Sequence, residues 1–138
     1  MKVLKFGGTS VGKPERMQAV AKLITRDPER KVVVLSAVSG TTNGLIEIGE
    51  LIAKADKAGA SAAIDRLQES YKTFIQHLYS TPQGRQKGEG VITEHFTFIR
   101  SLVNKPYTTK ESKELVAEGE LISTPGLAAM VSWSFCSV

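Results

Sequence analysis

Reactive and metal-binding side chains are scarce in this chain of 138 residues. The single cysteine, Cys136, excludes an internal disulfide bond and suits a reducing compartment. The two histidines, His77 and His95, lack partner ligands at metal-binding spacing, so we interpret both as structural or surface residues. No Ser/His/Asp or Cys/His arrangement is evident, which disfavours the usual patterns of nucleophilic catalysis.

Long uncharged segments are also scarce. The N-terminus lacks the apolar core of a signal peptide, and the uncharged C-terminal segment from Leu121 to Val138 contains serines and a Pro-Gly pair that argue against a membrane span. The formal net charge is +4, but the basic residues are scattered, which does not indicate a nucleic-acid surface. We therefore expect a cytoplasmic protein that binds neither membranes nor nucleic acid.

The most informative stretch is the N-terminal one. An apolar strand around Val3 and Leu4 leads into a glycine pair, two hydroxyl side chains and a helix that begins at Pro14. Such glycines let the backbone approach an anion closely, and the N–H groups of a following helix attract negative charge. Lys5 adds a mobile positive charge. The pattern favours phosphate binding, although a strand-turn-helix without any ligand remains open.

A competing interpretation is the P-loop, because Gly7 to Lys13 fits G-x-x-x-x-G-K. The next residue argues against it, since Pro14 offers no hydroxyl to bind magnesium. The second apolar run also ends in Ser36, where such folds usually carry a metal-binding aspartate.

A second strand, Val32 to Leu35, is a continuous apolar run of the kind found in parallel strands that are buried on both faces. It opens into a hydroxyl-rich loop from Ser36 to Asn43. Ligands in open α/β sheets lie outside the carboxyl ends of strands, so both loops are expected to line one crevice. Thr41, Thr42 or Asn43 is also suited to cap the next helix, and the two roles are compatible.

The rest of the chain shows helical periodicity. We predict a polar linker loop at Gln83 to Gly90 and a helix end at Pro125-Gly126. The helices are predicted at about 14–26, 42–57, 61–79, 90–103 and 109–123.

Three motifs, taken in order, resemble those of the aspartokinases: Lys5 to Val11, Val34 to Asn43, and Glu118 to Ser123. The resemblance covers residues 1 to about 124. It implies an α/β fold, the three-layer αβα sandwich of the amino acid kinase type with a mainly parallel sheet, incomplete in this chain. It also implies ATP-dependent phosphorylation of the β-carboxylate of L-aspartate to 4-phospho-aspartate, the first step toward lysine, threonine and methionine, with Mg²⁺ as cofactor and a homo-oligomeric enzyme.

The same resemblance assigns roles to individual residues. Lys5 takes the catalytic and phosphate-binding role, and Glu120 recognises the amino group of the substrate. Without the resemblance, Glu120 reads as an ordinary exposed carboxylate. The remaining residues are divided between the nucleotide phosphates (Gly7, Gly8, Thr9, Ser10 and Ser36) and aspartate (Ser36 and Thr42).

The chain departs from that family after Thr124. Residues 125–138 form an atypical apolar tail beyond an N-terminal half-domain of residues 1–124, and the family's later catalytic and nucleotide-binding motifs are absent. We therefore expect a truncated or frame-disrupted copy, or a fragment that ends in foreign residues, and we expect this chain to be inactive on its own. The alternative is a non-catalytic aspartate- or phosphate-binding fragment that self-associates.

Overall fold

The computed structural model describes residues 1–135. Two strands and two short helical segments come first, and four longer helices follow. In chain order the elements are β1 (Lys2–Phe6), α1 (Gly8–Val11), α2 (Pro14–Thr25), β2 (Lys31–Leu35), α3 (Thr41–Ala53), α4 (Lys57–Leu78), α5 (Pro82–Leu102) and α6 (Thr109–Phe135). The fold is a largely helical α/β arrangement around a small parallel sheet, consistent with an incomplete sandwich.

The two strands pair in parallel, with Lys2 opposite Lys31 and Phe6 opposite Leu35. Because side chains alternate along a strand, one face carries Phe6 and Leu35 toward the helices. The opposite face, which we call the outer face, carries Val3, Lys5, Val32 and Val34, all exposed. The expectation that β2 is buried on both faces is therefore wrong for this chain, because the described residues place no layer over the outer face.

The core lies among the helices. α4 packs between α3 and α5, and α6 packs against α5, α3 and α2. Each of these helices contributes apolar residues at helical spacing, which is why the periodicity located them correctly. The fully buried side chains include Val11, Met17, Leu45, Ile48, Ile64, Ile92, Phe96, Ile99, Leu102 and Leu115.

The predicted linker at Gln83 to Gly90 is wrong, because α5 begins at Pro82 and runs through it. Thr81 caps the helix by accepting a hydrogen bond from the N–H of Gly84 at 3.1 Å. Gly84 and Gly88 are buried, and a Cβ on Gly88 would lie 2.8 Å from side-chain atoms of both Ile75 and Tyr79. Close helix packing therefore explains these glycines.

The predicted helix end at Pro125 is also wrong, because α6 continues to Phe135 with Pro125 inside it. Proline has no N–H, so it cannot donate to the carbonyl one turn earlier. Tertiary contacts hold the helix at this point: Gly126 is buried, and the Tyr79 hydroxyl donates a hydrogen bond of 2.7 Å to its carbonyl. Cys136 lies outside the described residues, and the division of the chain at residue 124 stays a prediction.

Candidate functional site

The first loop of the site follows β1. Gly7 has extended backbone dihedral angles, and its carbonyl accepts a hydrogen bond of 2.9 Å from the N–H of Ser10. A single helical turn, α1, therefore follows the glycine pair before the helix that begins at Pro14. The Arg16 guanidinium closes the turn by donating to the carbonyl of Thr9 at 2.8 Å.

The glycines of this loop have different surroundings. A Cβ on Gly8 would lie 2.9 Å from the carbonyl oxygen of Ala37, and one on Gly12 would lie 2.8 Å from the Cβ of Ser39. These two glycines therefore allow the first loop to pack directly on the second. Apart from Gly7 itself and its two chain neighbours, no atom of the described residues lies within 4 Å of the position a Cβ on Gly7 would take, so the space above Gly7 is open to a ligand.

The second loop follows β2 at the same end of the sheet. The N–H of Ser36 donates to the carbonyl of Phe6 at 3.0 Å, which holds Ser36 beside the start of the first loop. Gly40 adopts a left-handed conformation with φ of 88° and is the residue that precedes α3. No side chain caps that helix, so the capping role predicted for Thr41, Thr42 or Asn43 is wrong.

Instead, Thr41 faces inward. Its hydroxyl lies 2.7 Å from the Tyr71 hydroxyl of α4, and both side chains are buried. Burial raises the pKa of Tyr71 to about 12, because an ionised phenolate would lose its hydration there, while the Thr41 contact acts in the opposite direction. Thr42, the next residue, is exposed.

The third motif lies on α6. A Cβ on Gly119 would lie 3.1 Å from the Cβ of Ala37 and 3.2 Å from Cγ2 of Thr41, so this helix approaches the second loop closely. One turn later, the Ser123 hydroxyl accepts a hydrogen bond of 3.2 Å from the N–H of Val38. Glu120 is exposed on the same turn of α6. The three motifs found in the sequence thus meet around Ala37.

The predicted site side chains differ from their neighbours in their hydrogen bonding. Among the residues whose side chains the structure describes, 1–126 and 128, six polar side chains of the predicted site form no hydrogen bond or ion pair: Lys5, Thr9, Ser10, Ser36, Thr42 and Glu120. By contrast, the nearby Glu118 is buried and lies 2.6 Å from Nδ1 of His95 on α5. The unpaired groups remain available to a ligand, whereas the paired ones hold helices together.

Two clefts border these loops. One of about 380 Å³ is lined by Thr9 and Ser10 together with Phe6, Arg16 and Leu23. The other, of about 320 Å³, lies between the second loop and α4 and is lined by residues including Ser39, Thr41, Tyr71 and Phe74. Neither cleft includes Lys5, Ser36, Thr42 or Glu120; Ser36 is half-buried, and the other three are exposed.

Sequence reasoning missed the contacts that join the helices. The His95–Glu118 pair and the Ser123–Val38 hydrogen bond link residues far apart in the chain, and no local pattern marks such partners. In the part of the chain that the structure describes, no three His, Cys, Asp or Glu side chains are grouped to hold a metal ion. None of the helices described there is both long and apolar enough to cross a membrane.

Comparison with known proteins gives consistent results. The sequence model of the amino acid kinase family matches residues 1–132. Chloroplastic aspartokinase 3 of Arabidopsis thaliana is 38% identical over 137 residues, which cover 94% of this chain and 23% of that protein.

Two solved structures of aspartokinase III from E. coli share the fold. The complex with lysine and aspartate, a T-state, has a TM-score of 0.71 and 25% identity, and the complex with aspartate and ADP, an R-state, has a TM-score of 0.64 and 26% identity. In both cases the match covers 98% of this chain and 29% of the solved chain. The chain therefore spans less than a third of the length of these relatives.

Proposed function

Because this chain belongs to the amino acid kinase family, we propose that it carries the aspartate-binding and phosphate-binding loops of an aspartokinase. The proposed reaction is transfer of the ATP γ-phosphoryl group to the β-carboxylate of L-aspartate, which gives 4-phospho-aspartate for lysine, threonine and methionine synthesis in the cytoplasm. The solved relatives support this choice of substrates, since one was crystallised with aspartate and another with aspartate and ADP.

One observation carries the proposal. The loop after β1, the loop after β2 and the Gly119–Ser123 turn of α6 meet at Ala37, through the close approaches of Gly8 and Gly119. This places the exposed, unpaired side chains of all three motifs around one end of the sheet. Ligands of open α/β sheets bind at that end.

The chemistry requires few protein groups. An ionised carboxylate oxygen of aspartate attacks the γ-phosphorus, the new O–P bond forms, and the bond from that phosphorus to the bridging oxygen of ADP breaks. No base is needed, because the nucleophile is already charged. The protein must instead bring two anions together and hold them in line, which requires positive charge and N–H donors.

We assign these tasks to named residues. The Lys5 ammonium offsets phosphate charge, and the backbone at Gly7 and Gly8 allows a phosphoryl oxygen to approach. Thr9 and Ser10 donate hydroxyl hydrogen bonds to phosphate, and Thr42 donates to an aspartate carboxylate. Ser36 is assigned to both ligands, and its one hydroxyl proton is donated to either the phosphate or an aspartate carboxylate. The Glu120 carboxylate accepts from the α-ammonium group of aspartate.

Magnesium has no evident ligand set in this part of the fold. No three potential metal-ligating side chains are grouped within residues 1–135. The residues present therefore do not fit a protein-bound magnesium site, and we assign no step to the ion.

The test is titration of the purified chain with L-aspartate, followed by amide nitrogen–proton NMR. We expect shifts at Ser36, Thr42 and Glu120. Replacing Glu120 by Gln removes a charge-assisted hydrogen bond, so aspartate affinity should fall by about 10-fold or more. The matched control is Glu114→Gln on the same helix, whose carboxylate pairs with Lys110 and should not affect binding.

Lysine variants test the proposed phosphate-binding role of Lys5. Lys5→Ala should weaken the binding of inorganic phosphate, measured by the same amide shifts, whereas Lys13→Ala, an exposed lysine at the start of α2, should not. Unchanged spectra of the wild-type chain with both ligands would contradict the proposal.

A second candidate is a non-catalytic binding fragment that self-associates. The exposed valines of the outer face favour it, because an apolar sheet face in water promotes association. ATP turnover separates the two. Aspartate-dependent release of ADP, lost in Lys5→Ala, would establish an enzyme, and binding without turnover would favour the fragment.

A further inference from the structure

Ser123 is one of the few buried polar residues that the structure describes, with 2% of its surface exposed. Its hydroxyl makes two hydrogen bonds. It donates to the carbonyl of Gly119, one turn earlier on α6, at 3.0 Å, and it accepts from the N–H of Val38 at 3.2 Å. Val38 belongs to the loop between β2 and α3 and is 85 residues away in the chain.

The two bonds define the direction of the hydroxyl. A serine hydroxyl has one proton, and the Gly119 carbonyl can only accept, so that proton points along α6. The lone pairs of the oxygen then face the second loop, where the N–H of Val38 is a hydrogen-bond donor to them. Ser123 therefore fastens the loop to the helix by a side-chain-to-backbone contact.

This contact lies between the groups of the proposed aspartate site. Ser36 precedes Val38 by two residues, Thr42 follows it by four, and Glu120 precedes Ser123 by three on α6. We propose that Ser123 is a positioning residue, which sets the distance between the hydroxyls of the loop and the carboxylate of the helix. The inference rests on the proposed function, since the spacing matters to aspartate only if these groups bind it.

Other contacts near Ser123 fix the position of α6. Gly119 keeps the helix close to Ala37, and the His95–Glu118 pair holds the same turn from the side of α5. These contacts fix where α6 lies. Neither involves the backbone of the loop beyond Ala37. At Val38 the Thr41 N–H donates to the carbonyl within the loop at 3.0 Å, and the Ser123 hydroxyl joins the N–H to α6.

The chain offers a closely matched control. Thr124 is the next residue, and its hydroxyl makes the same kind of bond along the helix, donating to the carbonyl of Glu120 at 3.1 Å. It is exposed, and among the described residues it forms no hydrogen bond to the loop. Ser123→Ala and Thr124→Ala therefore each remove one intrahelical bond of the same kind, and only the first also removes the link to Val38.

The first readout is amide hydrogen exchange. In Ser123→Ala the Val38 amide should exchange about tenfold faster, since a lost hydrogen bond of typical strength corresponds to about that factor. The amide peaks of Ser36 and Thr42 should shift as well. Thr124→Ala should leave all three unchanged, and Ser123→Thr, which keeps the hydroxyl, should restore most of the protection.

The second readout is aspartate affinity. Ser123→Ala should weaken binding by about tenfold in the wild-type background and by much less in the Glu120→Gln background, because a spacing has no effect once the carboxylate is gone. A loss of general stability would weaken both backgrounds equally. Additive effects of the two substitutions would therefore overturn the inference.

The two proposals fail in different ways. If the wild-type chain does not bind aspartate, the proposed function fails, and the shifts of Ser36 and Thr42 in Ser123→Ala still decide whether the hydroxyl positions the loop. If the chain binds aspartate but Ser123→Ala changes neither Val38 exchange nor affinity, the proposed function stands and the positioning role is wrong.

Discussion

At the scale of single residues, two tyrosine hydroxyls fasten helices at buried positions. Tyr71 meets Thr41 at the start of α3, and Tyr79 donates to the carbonyl of Gly126 in α6. Both tyrosine side chains are buried, but their hydroxyl partners could not be predicted from the sequence. Those partners lie 30 and 47 residues away in the chain, beyond any local pattern.

Burial of these phenols predicts a specific loss of stability in alkali. Burial raises the pKa of both Tyr71 and Tyr79 to about 12. The unfolded chain releases these protons near pH 10, before the folded chain does, so the free energy of unfolding should fall as the pH rises from about 10 to 12. The loss is at most roughly 2 to 3 kcal/mol for each tyrosine.

Denaturation by urea at several pH values, followed by circular dichroism, measures this loss. Tyr71→Phe should be less stable than the wild-type chain by about 1 kcal/mol at pH 8, because the hydrogen bond to Thr41 is gone. The difference in free energy of unfolding between the two proteins should become smaller above pH 10, since phenylalanine does not ionise. Parallel stability curves for the two proteins would show that Tyr71 does not contribute to alkaline unfolding.

At the scale of elements, helix positions were predicted well and helix ends poorly. The apolar spacing identified five helices, whereas the glycines in the first half of α5 and the proline in α6 suggested breaks that do not occur. Glycine and proline report local preference, and tertiary packing outweighed it at both places. The same limit applies to the site: its motifs were recognisable, but the meeting of Gly119 with Ala37 is a packing contact between distant segments.

Two glycines of α5 should therefore respond oppositely to alanine. Gly90 is exposed, with nothing near its would-be Cβ, so Gly90→Ala should stabilise the chain by roughly 0.5 to 1 kcal/mol through helix propensity alone. Gly88 lies against Ile75 and Tyr79, so a methyl group there must displace them. Gly88→Ala should gain nothing or lose stability. Thermal unfolding of the two variants makes the comparison, and equal gains would mean that α5 is not packed as described.

At the scale of the whole molecule, the described residues place helices on only one side of the sheet. Its outer face exposes Val3 of β1 and Val32 and Val34 of β2. The sequence predicted that the two valines of β2 would be buried. The fold class was predictable because the three motifs, each contained in a short stretch of sequence, resemble those of a known family. The extent of burial was not, since it depends on what a neighbouring layer contributes, and the chain spans only 23% of its Arabidopsis relative.

Exposure of this face predicts association that depends on concentration. Val34→Lys should lower the average mass measured by sedimentation equilibrium, because a charge on the face opposes its burial. Ile46→Lys is the matched control, since Ile46 on α3 is 45% exposed and Val34 is 44% exposed. A monomeric wild-type chain, or an equal effect of both variants, would contradict association through the sheet.

Lys5 lies on this same outer face, opposite Val34 in the strand register. Any molecule that covers the valines removes water from around its ammonium group, and the attraction between that charge and a phosphate grows as the local dielectric constant falls. Thermodynamic linkage makes the effect mutual. A bound anion changes the affinity of the molecule that covers the valines by the same factor by which that molecule changes the affinity for the anion. If Lys5 binds phosphate as proposed, covering of the outer face and affinity for phosphate are two measures of one coupling free energy.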